Sequence, residues 1–206
     1  VQARYLYGTH LAVLSRFEEA FEQGRIALEL DPLNLPLNGN VARALYLGRR
    51  YEDGIEVAQK TLELSPHFFF THWALGVCHR QLGHLDQAIE HLELSVAKSG
   101  IFVLKGDLGI ALAMAGRTDE ARQILVELEA ERKLRYISQH WSAVIHAALG
   151  EKSKALECLQ RAWKERAVQL TWLAVDPSYD SLRDEPGFQD VLEKMKFPVS
   201  GRVTVI

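Results

Sequence analysis

The sequence lacks a strong excess of charge of either sign. It has 24 lysine and arginine residues against 27 aspartate and glutamate residues, which gives a formal net charge of -3. Segments that bind nucleic acid or an anionic membrane surface by long-range attraction usually carry a clear positive excess. The composition therefore argues against nucleic acid and membranes as direct partners of this segment.

Long apolar runs and cysteines are also scarce. No run approaches the roughly 18 apolar residues that a membrane-spanning helix needs, and no secretory signal pattern is present. The two cysteines, Cys78 and Cys158, are far apart, so we expect two buried thiols in a reducing cytoplasm. The sequence opens on Val1 instead of methionine, and we expect a fragment of a longer protein with further domains upstream.

Recognisable catalytic motifs are missing as well. The sequence has no Gly-x-Ser-x-Gly elbow, no His-Glu-x-x-His pair and no phosphate-binding glycine loop. His72 and His79 are seven residues apart, as are His84 and His91, which separates each pair by roughly 10 Å along a helix. Because one zinc ion cannot bind two ligands that far apart, we predict core or half-buried histidines, no metal site, no cofactor and no enzymatic activity.

The sequence is instead organised by a period of 33 or 34 residues. Pro32 and Pro66 are 34 residues apart and end the similar phrases 27–32 and 61–66. Small residues recur in the same register at Ala20, Gly54, Ala88, Ala121 and Ala155. A second set of small residues, twelve positions earlier in each unit, consists of Gly8, Ala42, Gly76, Gly109 and Ala143. A period of this length indicates stacked supersecondary units.

Each unit has the pattern of two amphipathic helices joined by a turn. In the third unit, apolar residues recur at helical spacing at Leu75, Leu82, Leu85, Ile89 and Leu92. This pattern predicts helices over 70–82 and 85–97, whose small residues let the two helices approach closely. Glycine precedes the second helix in three units, at Gly83, Gly116 and Gly150, where we expect a positive φ.

These features resemble the tetratricopeptide family. Its pattern of Trp-x2-Leu-Gly-x2-Tyr, followed by alanine, an aromatic residue and proline, is matched in part by Tyr7-Gly8, Phe17, Pro32, Leu75-Gly76 and Ala88. The resemblance covers roughly residues 1–168 and implies an all-α fold, a right-handed superhelical solenoid of about five tetratricopeptide-like helix pairs plus a C-terminal capping segment. Repeats are predicted at 1–34, 35–68, 69–101, 102–135 (with a charged linker) and 136–168, followed by a cap at 169–197 and a tail at 198–206.

The C-terminal segment carries a second, more specific resemblance. The phrases 173–177, 180–183 and 186–189 resemble the end of the repeat region in many multidomain bacterial signalling proteins. In those proteins the repeats follow a winged-helix DNA-binding, nucleotide-cyclase or protein-kinase domain. The resemblance implies the sensory or assembly part of a larger bacterial regulator. The tail, 198–206, favours β structure, and both a disordered tail and a strand that pairs with a neighbour are open.

The resemblance also implies a place for a partner. In this architecture the first helices of the repeats line a concave face. Counted in register, that face carries Tyr5, Asn40, Arg43, Tyr46, Phe70, Trp73, Val77, Arg80, Ile110, Met114 and Trp141. Apolar and aromatic side chains with two arginines suit a bound helix or extended peptide, although the same aromatic residues could simply pack adjacent repeats together. Some family members bind a terminal carboxylate through lysine, asparagine and arginine, and only Asn40 matches that set, so we expect an apolar groove.

The predicted function is a cytoplasmic, non-catalytic scaffold that binds a protein or peptide partner. The alternative is a homo-oligomerisation module, in which the groove or the tail pairs with a second copy and brings upstream effector domains together. A third possibility, an accessory domain that contacts the substrate of a fused enzyme, depends on the sequence upstream.

Overall fold

The computed structural model describes residues 2–197, and this part of the chain is built from helices and turns without a strand. The α-helices are α1 (Gln2–Val13), α2 (Phe17–Leu30), α3 (Leu35–Leu47), α4 (Tyr51–Leu64), α5 (Phe69–Gln81), α6 (Leu85–Ser99), α7 (Lys105–Met114), α8 (Thr118–Arg132), α9 (Gln139–Ala148), α10 (Lys152–Lys164) and α11 (Pro186–Met195). The all-α class and the five helix pairs are confirmed. The predicted tail, 198–206, lies outside the described residues.

The described residues divide into two compact units, and each has its own core. Unit 1 comprises residues 2–100 with α1–α6, and unit 2 comprises Ile101–Phe197 with α7–α11. In unit 1, α1/α2, α3/α4 and α5/α6 pack as pairs, and α3 contacts both α1 and α5. In unit 2, α7/α8 and α9/α10 pack as pairs, and α9 contacts α7. Among residues 2–197, no helix combines the length and the apolarity that a bilayer crossing requires.

Small residues sit where paired helices touch. A Cβ atom at Gly76 of α5 would lie 2.5 Å from Leu92 Cγ and 3.1 Å from the carbonyl oxygen of Ala88, both on α6. A side chain at this position would push the helices apart, because real Cβ atoms do not come as close as 2.5 Å to another atom. The periodic small residues therefore set the close approach of the helix pair, as the sequence predicts.

The turns inside the pairs share one backbone conformation. Gly83, Gly116 and Gly150 have φ values of +77°, +75° and +75°, which confirms the predicted positive φ. In the first two pairs the same register position is filled by Ser15 and Arg49, with φ values of 59° and 63°. The fold thus keeps a left-handed residue at this position even where the sequence supplies a side chain, at a steric cost.

Replacing Gly83 with alanine is expected to lower the free energy of unfolding by about 1 kcal/mol, because an L-residue is disfavoured in the left-handed region. A Cβ atom at Gly83 meets nothing within 4 Å, so the change isolates the backbone effect. The reverse substitution, Ser15→Gly, is the matched control and is expected to raise stability. Urea unfolding followed by circular dichroism measures both, and equal midpoints for wild type and Gly83→Ala would contradict the argument.

The second helices begin with a recurring ion pair that the sequence analysis did not identify. Arg16, Arg50 and Arg117 immediately precede α2, α4 and α8, and they pair with Glu19, Asp53 and Glu120 at 2.5, 2.5 and 2.6 Å. Each pair joins the residue before the helix to the third helical position. Their side chains are 43% exposed or more, and exposed ion pairs contribute little to stability. These pairs therefore orient the helix starts more than they stabilise them.

The fifth pair reverses the charges at this position and builds a larger network. Glu151, before α10, lies 2.6 Å from Arg122 of α8, 2.7 Å from His146 of α9 and 3.2 Å from Lys154 of α10. Burial alone would raise the pKa of Glu151, but the hydrogen bonds from Arg122, His146 and Lys154 lower it to about 2. One carboxylate thus connects three helices of unit 2.

The segment after α10 covers the end of unit 2. Two short 3₁₀ helices, Val168–Trp172 and Pro177–Leu182, lead into α11. Tyr179 and Phe188 of this segment are fully buried, and their ring centroids lie 5.6 Å apart. The Tyr179 hydroxyl lies 2.5 Å from His140 Nδ1 on α9. Tyr179 and Phe188 of the predicted cap are therefore buried in unit 2, and Tyr179 connects the cap to its last helix pair.

Candidate functional site

The residues predicted to line the groove are divided between the two units. Those in unit 1 are Tyr5, Asn40, Arg43, Tyr46, Phe70, Trp73, Val77 and Arg80. Those in unit 2 are Ile110, Met114 and Trp141. Most of the set thus lies on the first helices of unit 1.

A row of aromatic rings joins α3 to α5 in unit 1. Phe70 and Trp73 are three residues apart on α5, so they share a helix face, and their rings stack with centroids 5.1 Å apart. Tyr46 of α3 meets Trp73 edge to face at 6.3 Å. Phe70 and Trp73 are only half-buried, so parts of two stacked rings face solvent. Such contacts contribute about 0.5–1.5 kcal/mol per pair beyond area burial.

The Phe70 ring packs against a glycine on the neighbouring helix, α3. A Cβ atom at Gly39 would lie 2.3 Å from Phe70 Cδ1, so the ring rests directly on the backbone of α3. Gly39 is thus a residue that positions Phe70 and that the sequence analysis missed. A glycine inside a helical pattern, outside the periodic small positions, was the signal that could have identified it.

A cationic edge borders these rings. The guanidinium carbon of Arg43 lies 6.0 Å from the centroid of Phe70, within the range of a cation–π contact. Burial lowers the pKa of Arg43, whereas the neighbouring Tyr5 hydroxyl favours the protonated form. Asn40, one turn earlier on α3, donates its side-chain amide to the Pro36 carbonyl at 2.7 Å. Tyr5, Asn40, Arg43, Phe70 and Trp73, all half-buried, are called the aromatic surface below.

Three other residues of the predicted groove in unit 1 are buried instead. Tyr46 is 4% exposed, and Val77 and Arg80 are 0% exposed. Arg80 Nη2 donates to the Tyr46 hydroxyl at 3.1 Å, which joins α5 to α3 beneath Trp73. The prediction that these three side chains contact a partner is therefore corrected: the packing of α3 on α5 encloses them, and they support the aromatic surface from within.

Unit 2 presents a smaller part of the predicted face. Ile110 is 3% exposed and belongs to the core, whereas Met114 is 45% exposed. Trp141 is half-buried and packs on Gly106, where a Cβ atom would lie 2.1 Å from its ring. The Trp141 Nε1 group is buried and has no hydrogen-bond partner among the described residues. Met114 and part of the Trp141 ring are thus what unit 2 exposes from the predicted set.

The thiols and the histidines offer no obvious catalytic centre. Burial raises the pKa of Cys78 to about 12 and also raises that of Cys158, so neither thiol is activated as a nucleophile. Both cysteines are free and buried. Within residues 2–197, histidine, cysteine and acidic side chains form no group of three that could hold a metal ion.

Parts of the chain are similar to known repeat families. Two family models described as tetratricopeptide repeat match residues 40–100 and 103–127. The Hsp70-Hsp90 organizing protein of Triticum aestivum is 37% identical over 82 residues, which are 40% of this chain and 14% of that protein. The match therefore spans a small part of that relative's length.

Two solved structures are similar to this chain. The crystal structure of MamA is similar with a TM-score of 0.50 and 16% identity, covering 79% of this chain and 95% of that one. YrrB, described as a TPR protein with an unusual peptide-binding site, gives a TM-score of 0.49 and 19% identity, covering 82% of this chain and 88% of that one. The likeness to MamA shows the fold. Residues 40–100 and 103–127 thus match tetratricopeptide repeats in sequence, and the chain shares an all-helical fold with MamA.

Proposed function

We propose that the chain is a non-catalytic interaction scaffold that binds a segment of a partner protein on the aromatic surface of unit 1. The observation that carries this proposal is the half-exposed stack of Phe70 and Trp73, with Arg43 over the Phe70 ring. Tryptophan, tyrosine and arginine are the residues most enriched at the energetic centres of protein interfaces. A rigid stack loses little conformational entropy when it is covered, which favours binding.

The chemistry of the surface indicates the kind of ligand. Phe70 and Trp73 offer ring faces to an apolar or aromatic side chain, and Arg43 places a positive charge beside them, which complements an acidic group. The wheat relative is named for organising Hsp70 and Hsp90. Of the carboxylate-binding set expected in such family members, only Asn40 is present here, and its amide donates to Pro36. We therefore propose a ligand held mainly through apolar side chains, not through a terminal carboxylate.

The wider setting is also proposed. The C-terminal phrases 173–177, 180–183 and 186–189 support a place in the cytoplasm as the sensory or assembly part of a larger bacterial regulator. The net charge of -3 supports a protein partner over direct binding of nucleic acid by this segment. Sequencing the full gene product tests this setting, because an upstream domain of an unrelated kind would contradict it.

Replacing Trp73 with alanine is expected to weaken peptide binding at least tenfold, because interface residues of this kind often contribute about 2 kcal/mol or more. The probe is a fluorescent peptide selected on the wild-type chain from a displayed library of random 12-residue peptides, and fluorescence anisotropy measures its affinity. Tyr7→Ala is the matched control. Tyr7 is 49% exposed, belongs to the same unit and lies outside the aromatic surface, so its replacement should leave the affinity unchanged.

The affinity of Trp73→Ala can contradict the proposal only if the variant is folded. Circular dichroism and protection of the buried Cys78 thiol first establish that Trp73→Ala is folded. Unchanged affinity of the folded variant would contradict the proposal. Sedimentation equilibrium tests for self-association. If the molecular mass of the wild-type chain rises with concentration and that of Trp73→Ala stays at the monomer value, the ligand of the aromatic surface is a second copy of the chain.

A further inference from the structure

Four histidines of unit 1 are connected across the α5/α6 pair. His72 Nδ1 on α5 lies 3.2 Å from His91 Nδ1 on α6, and His79 Nδ1 on α5 lies 3.3 Å from His84 Nδ1, just before α6. The rings of His79 and His91 stack with centroids 5.8 Å apart and an interplanar angle of 15°. His72, His91, His79 and His84 thus form one continuous row, called the histidine ladder below.

The hydrogen bonds of the ladder depend on which nitrogens carry protons. His72 Nε2 lies 3.0 Å from the Pro66 carbonyl oxygen, which can only accept, so His72 Nε2 carries a hydrogen. In neutral His72 the Nδ1 atom is therefore bare, and His91 Nδ1 donates to it. The pair can hold one extra proton on Nε2 of His91, because His91 Nδ1 still donates to His72. With two extra protons, both Nδ1 atoms would carry hydrogens, and the bond would be replaced by repulsion.

The same reasoning applies to His79 and His84. Their two Nδ1 atoms form a bond only if one donates and the other accepts. When both rings are protonated, two N–H groups and two positive charges face each other at 3.3 Å. A fully protonated ladder is therefore incompatible with the observed geometry.

Burial and neighbouring charge both act against protonation. Burial, and then the charge of His84, lower the pKa of His79. Burial, and then the charges of His72 and His79, lower the pKa of His91, and the nearby Glu90 of α6 only partly offsets this.

Two other helices packed on α5, α3 and α4, carry groups that act on other residues of α5. The charges of Glu52 on α4 and of Arg80 act on Cys78. From α3, Arg43 contacts Phe70 and Tyr46 contacts Trp73, on the aromatic side of α5. The charged neighbours that act on His79 and His91 are thus members of the ladder and Glu90.

We propose that the histidine ladder is a proton-sensitive joint between α5 and α6, which weakens unit 1 as the pH falls below about 6.5. The folded unit binds fewer protons than the unfolded chain, because the folded pKa values of His79 and His91 are lowered. Stability is therefore complete above the unfolded pKa and is lost as the pH falls from there towards the folded values. For each excluded proton, the unfolding equilibrium constant rises about tenfold per pH unit.

The joint has a consequence for the aromatic surface. Phe70 and Trp73 stand on the same helix as His72 and His79, so loosening α5 also disturbs the stacked rings. This consequence rests on the proposed function, whereas the joint itself does not. The test below measures stability without a partner, so that the joint and the peptide-binding proposal can fail independently.

The experiment reads unit 1 through its single cysteine in the intact chain. Cys78 is buried in unit 1 and Cys158 in unit 2. A short pulse of a methanethiosulfonate reagent across a urea series, followed by mass spectrometry, gives the fraction of each thiol exposed at about pH 7.5 and at about pH 5.5. A chelator is present throughout to exclude metal effects. For wild type, the unfolding constant reported by Cys78 is expected to rise at least tenfold on acidification.

Variants decide whether the ladder causes this response. His79→Gln/His91→Gln is expected to lose most of the rise at Cys78, whereas His67→Gln, an exposed histidine of the same unit, should retain it. None of these changes should alter the response at Cys158. If the double variant does not fold, His84→Gln, at an exposed position, replaces it and should reduce the rise. An unchanged rise in the folded ladder variant, an equal reduction in His67→Gln, or no rise in wild type would overturn the proposal.

Discussion

Replacing Tyr179 with alanine is expected to lower the free energy of unfolding of unit 2 by about 3–5 kcal/mol, the usual cost of deleting a buried aromatic side chain. Tyr179 is 0% exposed. Its ring lies 5.7 Å from the ring of His140 and 5.6 Å from that of Phe188, measured between centroids. The substitution would leave a cavity between α9 and the C-terminal segment. Urea unfolding read by exposure of Cys158 measures the effect, with Cys78 as an internal reference.

The variant Tyr179→Phe separates the hydroxyl from the ring. It keeps the ring contacts but removes the partner of His140 Nδ1, which lies 2.5 Å from the hydroxyl. Burial lowers the pKa of His140, so the neutral ring would keep an unsatisfied polar atom at a cost of about 1–3 kcal/mol. Equal losses in the two variants would show that the ring fills no essential space. No loss in either would contradict the anchoring role of Tyr179.

The repeat architecture could be predicted because it follows from local rules. Small residues must recur where helices touch, and a left-handed residue must end each first helix, so both appear as a period in the sequence. In the third unit the predicted helices, 70–82 and 85–97, agree with α5 and α6 to within two residues. Ser15 and Arg49 could not be recognised as turn residues, because their positive φ values are imposed by the repeat and not by their own preferences.

The burial of each side chain at the candidate surface could not be predicted in the same way. Register identifies the side of a helix that a residue occupies, but burial depends on how closely the next helix approaches. Val77 and Phe70 were placed on one face by register, yet Val77 is 0% exposed and Phe70 is half-buried.

The histidine ladder was missed for a related reason. Spacing was measured along single helices, whereas the contacts run between antiparallel helices. His72 lies one turn before Gly76 and His91 about one turn after Ala88, and Gly76 contacts Ala88. These positions must therefore face each other, which is the signal that would have identified the pair.

Replacing Tyr46 with phenylalanine is expected to lower the free energy of unfolding of unit 1 by about 1.5–3 kcal/mol, because a hydrogen bond to a buried charged group is lost. The Tyr46 hydroxyl accepts from Arg80 Nη2 at 3.1 Å, and Arg80 is 0% exposed. The edge contact between the Tyr46 ring and Trp73 is retained, so the folded variant should bind the selected peptide as tightly as wild type.

Tyr51→Phe, at a half-buried position in the same unit, is the matched control and should have a smaller effect on stability. Exposure of Cys78 in urea gives the stability, and fluorescence anisotropy gives the affinity. A tenfold loss of affinity without a loss of stability would contradict this assignment, because it would indicate that the Tyr46 hydroxyl contacts the partner directly.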